Sequence, residues 1–470
     1  MDGLECSEIL LSQVRTYDPF RIDSHFFEKK YICLKEKLLA ISCCILKDLV
    51  SKEIQTGHTP SMSNDSFYGG NIALIKTDNL HDNNISTSFS DYLSQAGNAV
   101  IARTALISRD IITTIIGATE KIIARSAIVT EEYLPANINQ NIVQVRIDPQ
   151  KASPEYVDIY LNTKYGKAYL IYLSRQTEQF NLNCKEVESV LIPLFCKPFQ
   201  DKISSIVQRA QRMQKEARTI YSEAEALMRD ILCVPQIKHY SLVATTKMFS
   251  ESLAKTARLD AEYYQPKYEK YTIGLNTSDT VITLCKIYDE NFEPIDEENY
   301  PYIELSNIGR TGEIEGVEIV SGDELPTRAR RKVRTGQVIV SSIEGSLQNC
   351  ALIPPEYDEA LCSTGFYVLD SDFINPETLL VLFKSEPIQS LMKQRCSGTI
   401  LTGITKDEFL SMPLPKIDSE VQEQIATIVQ QAFSFRKQSE QLLDYAKEAV
   451  ELAIEQGEDV AMAWLKDKVE

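Results

Sequence analysis

The sequence is poor in the residues that build metal centres and covalent catalytic sites. Its 470 residues include only four histidines, at positions 25, 58, 81 and 239, none in an H-E-x-x-H spacing or beside a cysteine pair. A metal site is therefore not expected. Eleven cysteines are scattered without a single C-x-x-C, and Cys43-Cys44 is the one close couple. That suits neither a zinc site nor a secreted disulfide framework. No G-x-S-x-G elbow occurs, and Cys43, Cys44 and Cys396 lack the context of a nucleophile. The stretch GGNIALIKT carries Lys76-Thr77 but lacks the glycine that a phosphate loop needs directly before its lysine. A strand is expected there instead.

Long hydrophobic runs are missing as well. The most apolar early stretch, LLAISCCILKDLV, is short and interrupted by Lys47 and Asp48, and the amino terminus is acidic. Neither an export signal nor a membrane span is expected, which with reduced thiols points to a cytoplasmic protein away from membranes. Cations are outnumbered, 49 Lys and Arg against 67 Asp and Glu, for a net charge of -18. Such a chain repels polyanions at long range, so any nucleic-acid contact has to come from a local basic groove. What is present is a globular composition, 43% hydrophobic and 25% charged, in a chain long enough for two or three cores.

The chain also repeats itself. RIDSHFFEKKY from Arg21 returns as RLDAEYYQPKY from Arg258, an offset of 237 residues. SPEYVDIYL from Ser153 answers NPETLLVLF from Asn375, and ISSIVQRA from Ile203 answers IATIVQQA from Ile425, both at an offset of 222. Order is kept, and the first copy holds about 15 extra residues before Ser153, as loops diverging on a shared frame would produce. Alternating runs in NIALIKTDNL, DIITTIIGA and NIVQVRID predict strands in the first copy; YIELSNI, QVIVSSIEG and GFYVLD do so in the second. Each then opens a helix with a capping residue, a proline and a glutamate. The fold class is α+β, two similar mixed modules.

Each module runs into a long helix. Ile203, Ile206, Ala210, Met213, Ala217, Ile220, Ala224, Leu227 and Ile231 are spaced three and four apart. Val421, Ile425, Ile428, Ala432, Phe435, Ser439, Leu442, Ala446, Ala449 and Ala453 do the same. Sustained heptads of this length predict two helices packed on each other as an intramolecular coiled coil. Ser419 with Gln422 suggests a capping box at the second helix's start.

Binding signals exceed catalytic ones. TRARRKVRTG gathers Arg328, Arg330, Arg331, Lys332 and Arg334 in an otherwise acidic chain, a source of phosphate and base-edge contacts or, equally, a solvated strand face balancing nearby acids. Comparable turns offer Lys76, Thr77 and Asn79 in the first copy and Ser306, Asn307 and Arg310 in the second. A further pair of turns, RQTEQFN and RCSGTILTG, offers Arg175, Thr177 and Gln179, then Arg395 and Ser397. Asn307 and Gln179 have the amides that address adenine. The aromatic pairs Phe26-Phe27 and Tyr263-Tyr264 are expected to anchor packing rather than stack on bases.

As a set, RLDAEYY with KY, GHTPSMSNDSFYGGNIALIKTDNL, VRTGQVIVSSIEG, CSGTILTGI and MPLPKIDSEVQEQIATIV resemble the DNA-specificity subunit of type I restriction-modification systems. The resemblance implies a non-catalytic subunit with two target-recognition domains on two antiparallel long helices in a pseudo-twofold repeat. Each domain would read half of a split sequence in double-stranded DNA. Two DNA adenine methyltransferase subunits would be recruited, with a restriction endonuclease/translocase subunit as a further partner; S-adenosylmethionine would belong to the methyltransferase, and no cofactor to this chain. The expected division is a lead-in at 1–35, a first recognition domain at 36–197, and a central helix at 198–235. A linker and second domain at 236–415 and a C-terminal helix and tail at 416–470 complete it. Strong acidity departs from the family pattern and implies that affinity comes partly from the methyltransferases. Two alternatives stand beside this reading: a specificity-like subunit of a methylation-based phage-defence system, and a coiled-coil adaptor without DNA binding.

Overall fold

The computed structural model describes residues 8–15, 21–87, 89–176, 178–232, 246–250, 252, 258–398 and 402–469. It divides into two compact units, residues 1–213 with 437–470, and residues 214–436.

In the first unit, helix α1 (Lys29–Leu39) precedes strands β1 (Gln55–Thr56), β2 (Tyr68–Ile75), β3 (Tyr92–Leu93), β4 (Ile111–Thr114), β5 (Ser126–Ile128), β6 (Ala136–Ile138) and β7 (Ile142–Val145). Helices α2 (Pro154–Asn162) and α3 (Lys164–Leu173) follow, then the long α4 (Lys197–Leu232). Four strands form an antiparallel sheet in the order β1-β7-β4-β5; a second sheet runs β6-β2-β3, with β6 parallel to β2.

The second unit repeats the plan. Helix α5 (Pro266–Leu275) precedes β8 (Lys286–Tyr288), β9 (Asn299–Ile303), β10 (Glu318–Ser321), β11 (Ala329–Lys332), β12 (Val338–Ser341), β13 (Cys350–Leu352), β14 (Leu361–Ser363) and β15 (Phe366–Asp370). Helices α6 (Pro376–Lys384) and α7 (Glu386–Arg395) lead to the long α8 (Ser419–Gln456), after which α9 (Glu458–Val469) closes the chain in the first unit. The antiparallel sheet runs β8-β15-β12-β13, the same first-last-second-third order as its twin. The other sheet runs β10-β9-β14-β11, again with one parallel pair, β9 with β14. Only β11, the arginine strand, lacks a counterpart among the described residues of the first copy.

Each unit holds the start of one long helix beside the end of the other, so the helices that the heptads pair run antiparallel, as the resemblance implies. In the first unit the buried Ser439 hydroxyl of α8 donates to the Ala210 carbonyl of α4 at 2.8 Å. In the second, Tyr221 and Phe433 stack with rings 4° from parallel. The buried stripe is wider than the predicted seam, since Val207, Tyr221, Met228 and Leu232 join it.

The twice-written stretch is a clamp. Arg21 chelates Asp23 through Nε and Nη2 at 2.8 and 2.9 Å, donates to the Leu173 and Ser174 carbonyls, and lies 4.3 Å over the Phe26 ring. Arg258 chelates Asp260 at 2.7 and 3.1 Å, donates to the Cys396 carbonyl, and lies 4.5 Å over Tyr263. Each arginine thus caps the last carbonyls of the second short helix, where a cation is favoured and acceptors are otherwise orphaned. Phe26 is buried and stacked on Tyr172, in keeping with a packing role.

A second repeated device docks the short helices on the long ones. Ser153 and Asn375 cap α2 and α6 by accepting from Tyr156 and Thr378. The backbone N–H of each cap residue donates to a glutamine of the long helix, Ser153 to Gln200 at 3.0 Å and Asn375 to Gln422 at 2.7 Å. The two glutamine amides in turn donate to Phe195 and Ile417 carbonyls, again matched positions. The capping box expected of Ser419 and Gln422 does not form: the helix starts at Ser419, Asp418 takes the Glu420 N–H, and the Gln422 side chain is spent on the module. Two turns farther, Gln208 and Gln430 donate to Glu155 and Glu377.

The first junction is ionic where the second is nearly neutral. Glu155 also accepts from Arg109, Ser153 and Ser204. Burial alone would raise this carboxyl, but the Arg109 bonds and charge, with its own backbone N–H, hold it at about 2. Asp158, one turn on and 1% exposed, goes the other way: burial and the nearby Glu155 and Asp82 push it up to about 8. Its counterpart in the second copy is Leu380, also buried.

An unfolded aspartate ionises near 3.9, so between there and about pH 8 the folded chain keeps a proton the unfolded chain has released. Stability from this group is complete at low pH and falls as pH rises through the folded value. Asp158→Asn is expected to gain on the parent between pH 5 and 8.5 by up to about 1.4 kcal/mol per pH unit, followed as the first unfolding transition. Parallel pH profiles would contradict the assignment.

Candidate nucleic-acid interface

After β2 and β9 the chain makes the same short 3-10 turn, Thr77–Asn79 and Leu305–Asn307. Asn79 Oδ1 accepts from the Lys76 N–H at 3.0 Å, and Asn307 Oδ1 from the Glu304 N–H at 2.7 Å. Asn307 Nδ2 then donates to the Glu315 and Gly316 carbonyls, both at 2.9 Å. Short amide side chains favour such turns because they bond their own backbone. These two asparagines shape the loops, and Asn307 has spent the amide that would address a base. Lys76 is ion-paired with Asp91, and Ser306 Oγ lies 3.4 Å from Glu304. Thr77 Oγ1 is buried without a hydrogen-bond partner among the described residues. Arg310 is exposed at the loop that follows.

The Glu313–Glu315 loop is held by a residue the sequence reading did not single out. Arg436 of α8 forms ion pairs with Glu313, at 2.5 Å, and with Glu315. A lone arginine beside the heptad position Phe435 was the available signal.

The basic stretch forms the edge strand β11 and its flanks. Arg330 donates to the Glu293 carboxylate at 2.6 Å, while Glu359 takes both Lys332 and Arg334, the latter at 3.3 Å. Lys332 Nζ also sits 4.8 Å from the centre of the Phe292 ring. Arg331 donates from Nη1 to the Tyr288 carbonyl at 3.3 Å, and its buried Nε has no partner among the described residues. A buried guanidinium N–H left unsatisfied wants an acceptor. Arg328 is exposed just before the strand. The fold therefore collects five cations at one edge and sets two glutamates among them. Guanidinium groups in that setting can grip phosphate or the guanine edge once the carboxylates yield.

The remaining candidates lie elsewhere on each module. Arg175, on a two-residue strand paired with Phe180–Asn181, is bonded to Glu186 at 2.9 Å, and Gln179 is exposed in the turn. Thr177 lies outside the described residues. Ser397 is exposed on a short strand paired with Gly403–Ile404. Arg395 turns inward, its Nη1 donating to the Leu391 carbonyl and to Gln394 Oε1 at 3.1 and 3.2 Å. It finishes α7 rather than facing outward. Among the described residues no group of histidine, cysteine and carboxylate side chains could hold a metal, and no helix is long and apolar enough to cross a membrane.

No family model matches the chain. The specificity subunit of the type I restriction enzyme EcoBI from Escherichia coli is 24% identical over 149 residues, 32% of this chain and 30% of that protein. The chain thus matches under a third of that relative's length. Among solved structures, the S subunit of a type I restriction-modification system from M. genitalium is 12% identical, covering 86% of this chain and 94% of that one, with a TM-score of 0.38. The HsdS subunit of Thermoanaerobacter tengcongensis is 14% identical, covering 88% and 97%, with a TM-score of 0.30. In its motifs and in its curated relative, the chain is similar to the DNA-specificity subunits of type I restriction-modification systems.

Proposed function

We propose that this chain is the sequence-reading, non-catalytic subunit of a type I-like DNA methylation and restriction complex. Each module reads one half of a bipartite target in double-stranded DNA, and the paired long helices set the gap between the halves. Two adenine methyltransferase subunits bind the chain and carry S-adenosylmethionine, and a restriction endonuclease/translocase subunit joins them in the fuller complex. The complex works in the cytoplasm.

The observation that carries the reading is the doubled topology. Two sheets of one strand order, each docked by the same glutamine bonds at the start of a long helix, are two sensors on one frame. Duplicated DNA readers meet half-sites spaced by about one helical turn, roughly 34 Å. A 36-residue helix rises on the order of 54 Å at 1.5 Å per residue, ample to span such a gap. Within this frame the surfaces of the Thr77–Asn79 and Leu305–Asn307 turns, the exposed Gln179 and Ser397, and the β11 edge are the proposed DNA-facing parts.

Sequencing the methylome of cells with and without the chain tests the proposal. A split motif with methylated adenine in each half is expected to disappear on deletion, and an unchanged methylome would refute it. Replacing Arg328, Arg331 and Arg334 together by glutamate is expected to cut methylation at that motif at least about tenfold, as lost phosphate contacts compound. A coiled-coil adaptor would be indifferent to the change.

A further inference from the structure

The glutamates on the basic edge are placed too specifically to be mere surface charge. Glu359 has φ +63, a left-handed backbone that a residue with a side chain adopts at a cost. Its N–H donates to the Val333 carbonyl, which sets it directly beside the 332–334 segment. From there one carboxylate engages both Lys332 and Arg334. The neighbouring Asp358 accepts from the N–H and hydroxyl of Thr335, fastening the two turns together. On the other side Glu293, 83% exposed along its side chain, reaches Arg330. Arg334 itself is 73% exposed and Glu359 46%. Exposed ion pairs of this kind contribute little to stability, so holding a strained glutamate against two cations calls for another reason.

We propose that Glu359, assisted by Glu293, is a built-in competitor for DNA phosphate that sets the affinity of the basic edge. This rests on the reading of the chain as a DNA-contacting subunit and names residues that tune it. In the free protein the carboxylate occupies the positions on Lys332 and Arg334 that a phosphate would take. DNA binding exchanges one anion for another. A duplex that offers only its backbone gains little from that exchange, because the displaced carboxylate is left close to the phosphates and gathers a counter-ion of its own. A target that also makes base contacts gains the difference. The same penalty falls on every duplex, so the competitor lowers affinity overall and only a target that adds base contacts keeps useful binding, in a chain that already repels polyanions at long range through a net charge of -18.

The test is the binding of full-length chain to a fluorescent mixed-sequence duplex, titrated at several salt concentrations. Glu359→Gln is expected to bind about three- to tenfold tighter than the parent, with a log Kd against log salt slope steeper by about one, since a freed cation now releases DNA counter-ions outright. Glu359→Gly should behave alike and keep its fold, because φ +63 suits glycine. Glu293→Gln, freeing one cation instead of two, should show a smaller gain. Adding Lys332→Gln and Arg334→Gln to Glu359→Gln should abolish the gain. If the parent binds the duplex while both Glu359 variants bind no tighter and with the same slope, the competitor role is overturned and DNA reading stands. If none of these proteins binds the duplex even at low salt, the inference falls together with DNA contact at β11; the methylome decides the wider function separately.

Discussion

Two glutamines hold the architecture in register. Gln200 and Gln422 each accept the N–H of a helix-capping residue and donate to the carbonyl five residues earlier, where the chain enters a long helix. Both groups would otherwise be unpaired in largely buried positions, and leaving a buried backbone donor unsatisfied costs about 1–3 kcal/mol. A single side chain therefore fixes the direction in which each module meets its helix. Because the bond is made to backbone at both ends, it tolerates changes in neighbouring side chains, and the two copies keep it while diverging around it. The arginine clamps at Arg21 and Arg258 do a similar task one element away, by terminating α3 and α7 on their own carbonyls.

Most of the frame was legible in the sequence because its determinants are local or periodic. Ser153-Pro154 and Asn375-Pro376 announce helix starts by chemistry that needs no partner, and the heptads announce paired helices by spacing alone. Strands at Tyr68–Ile75, Val338–Ser341 and Phe366–Asp370 followed from alternation. The docking glutamines were not legible as a pair. Gln200 stands just before the repeat ISSIVQRA and gives no signal of its own, and for Gln422 the S-x-x-Q pattern suggested a cap, which the tertiary partner Asn375 outcompeted. A polar residue repeated inside an apolar seam is a signal of docking rather than of the helix's own ends.

The candidate interface was less legible, for physical reasons that differ from residue to residue. Asn79 and Asn307 occupy the same position of the same turn, and a repeated asparagine after a strand speaks first for turn closure. Arg395 was indistinguishable by sequence from an exposed arginine, because its acceptors lie on the helix turn behind it. The basic edge was visible as a cluster, whereas its counter-ions were not, since Glu293 and Glu359 come from other loops and reach β11 only through sheet pairing. The same pairing accounts for the coexistence of an acidic chain and a basic edge: cations are concentrated on a strand without a counterpart among the described residues of the first copy, and they are partly discharged in place.

The central claim is that the long helices act as a ruler between two readers. Seven residues inserted into each, after Met213 and after Arg436, lengthen the pair by about 10 Å while nearly preserving the facing stripes. Methylome sequencing of cells carrying that variant should return the same two half-sequences with about three more base pairs between them, at 3.4 Å per pair. A motif whose gap stays unchanged, in a chain that still methylates, would contradict it.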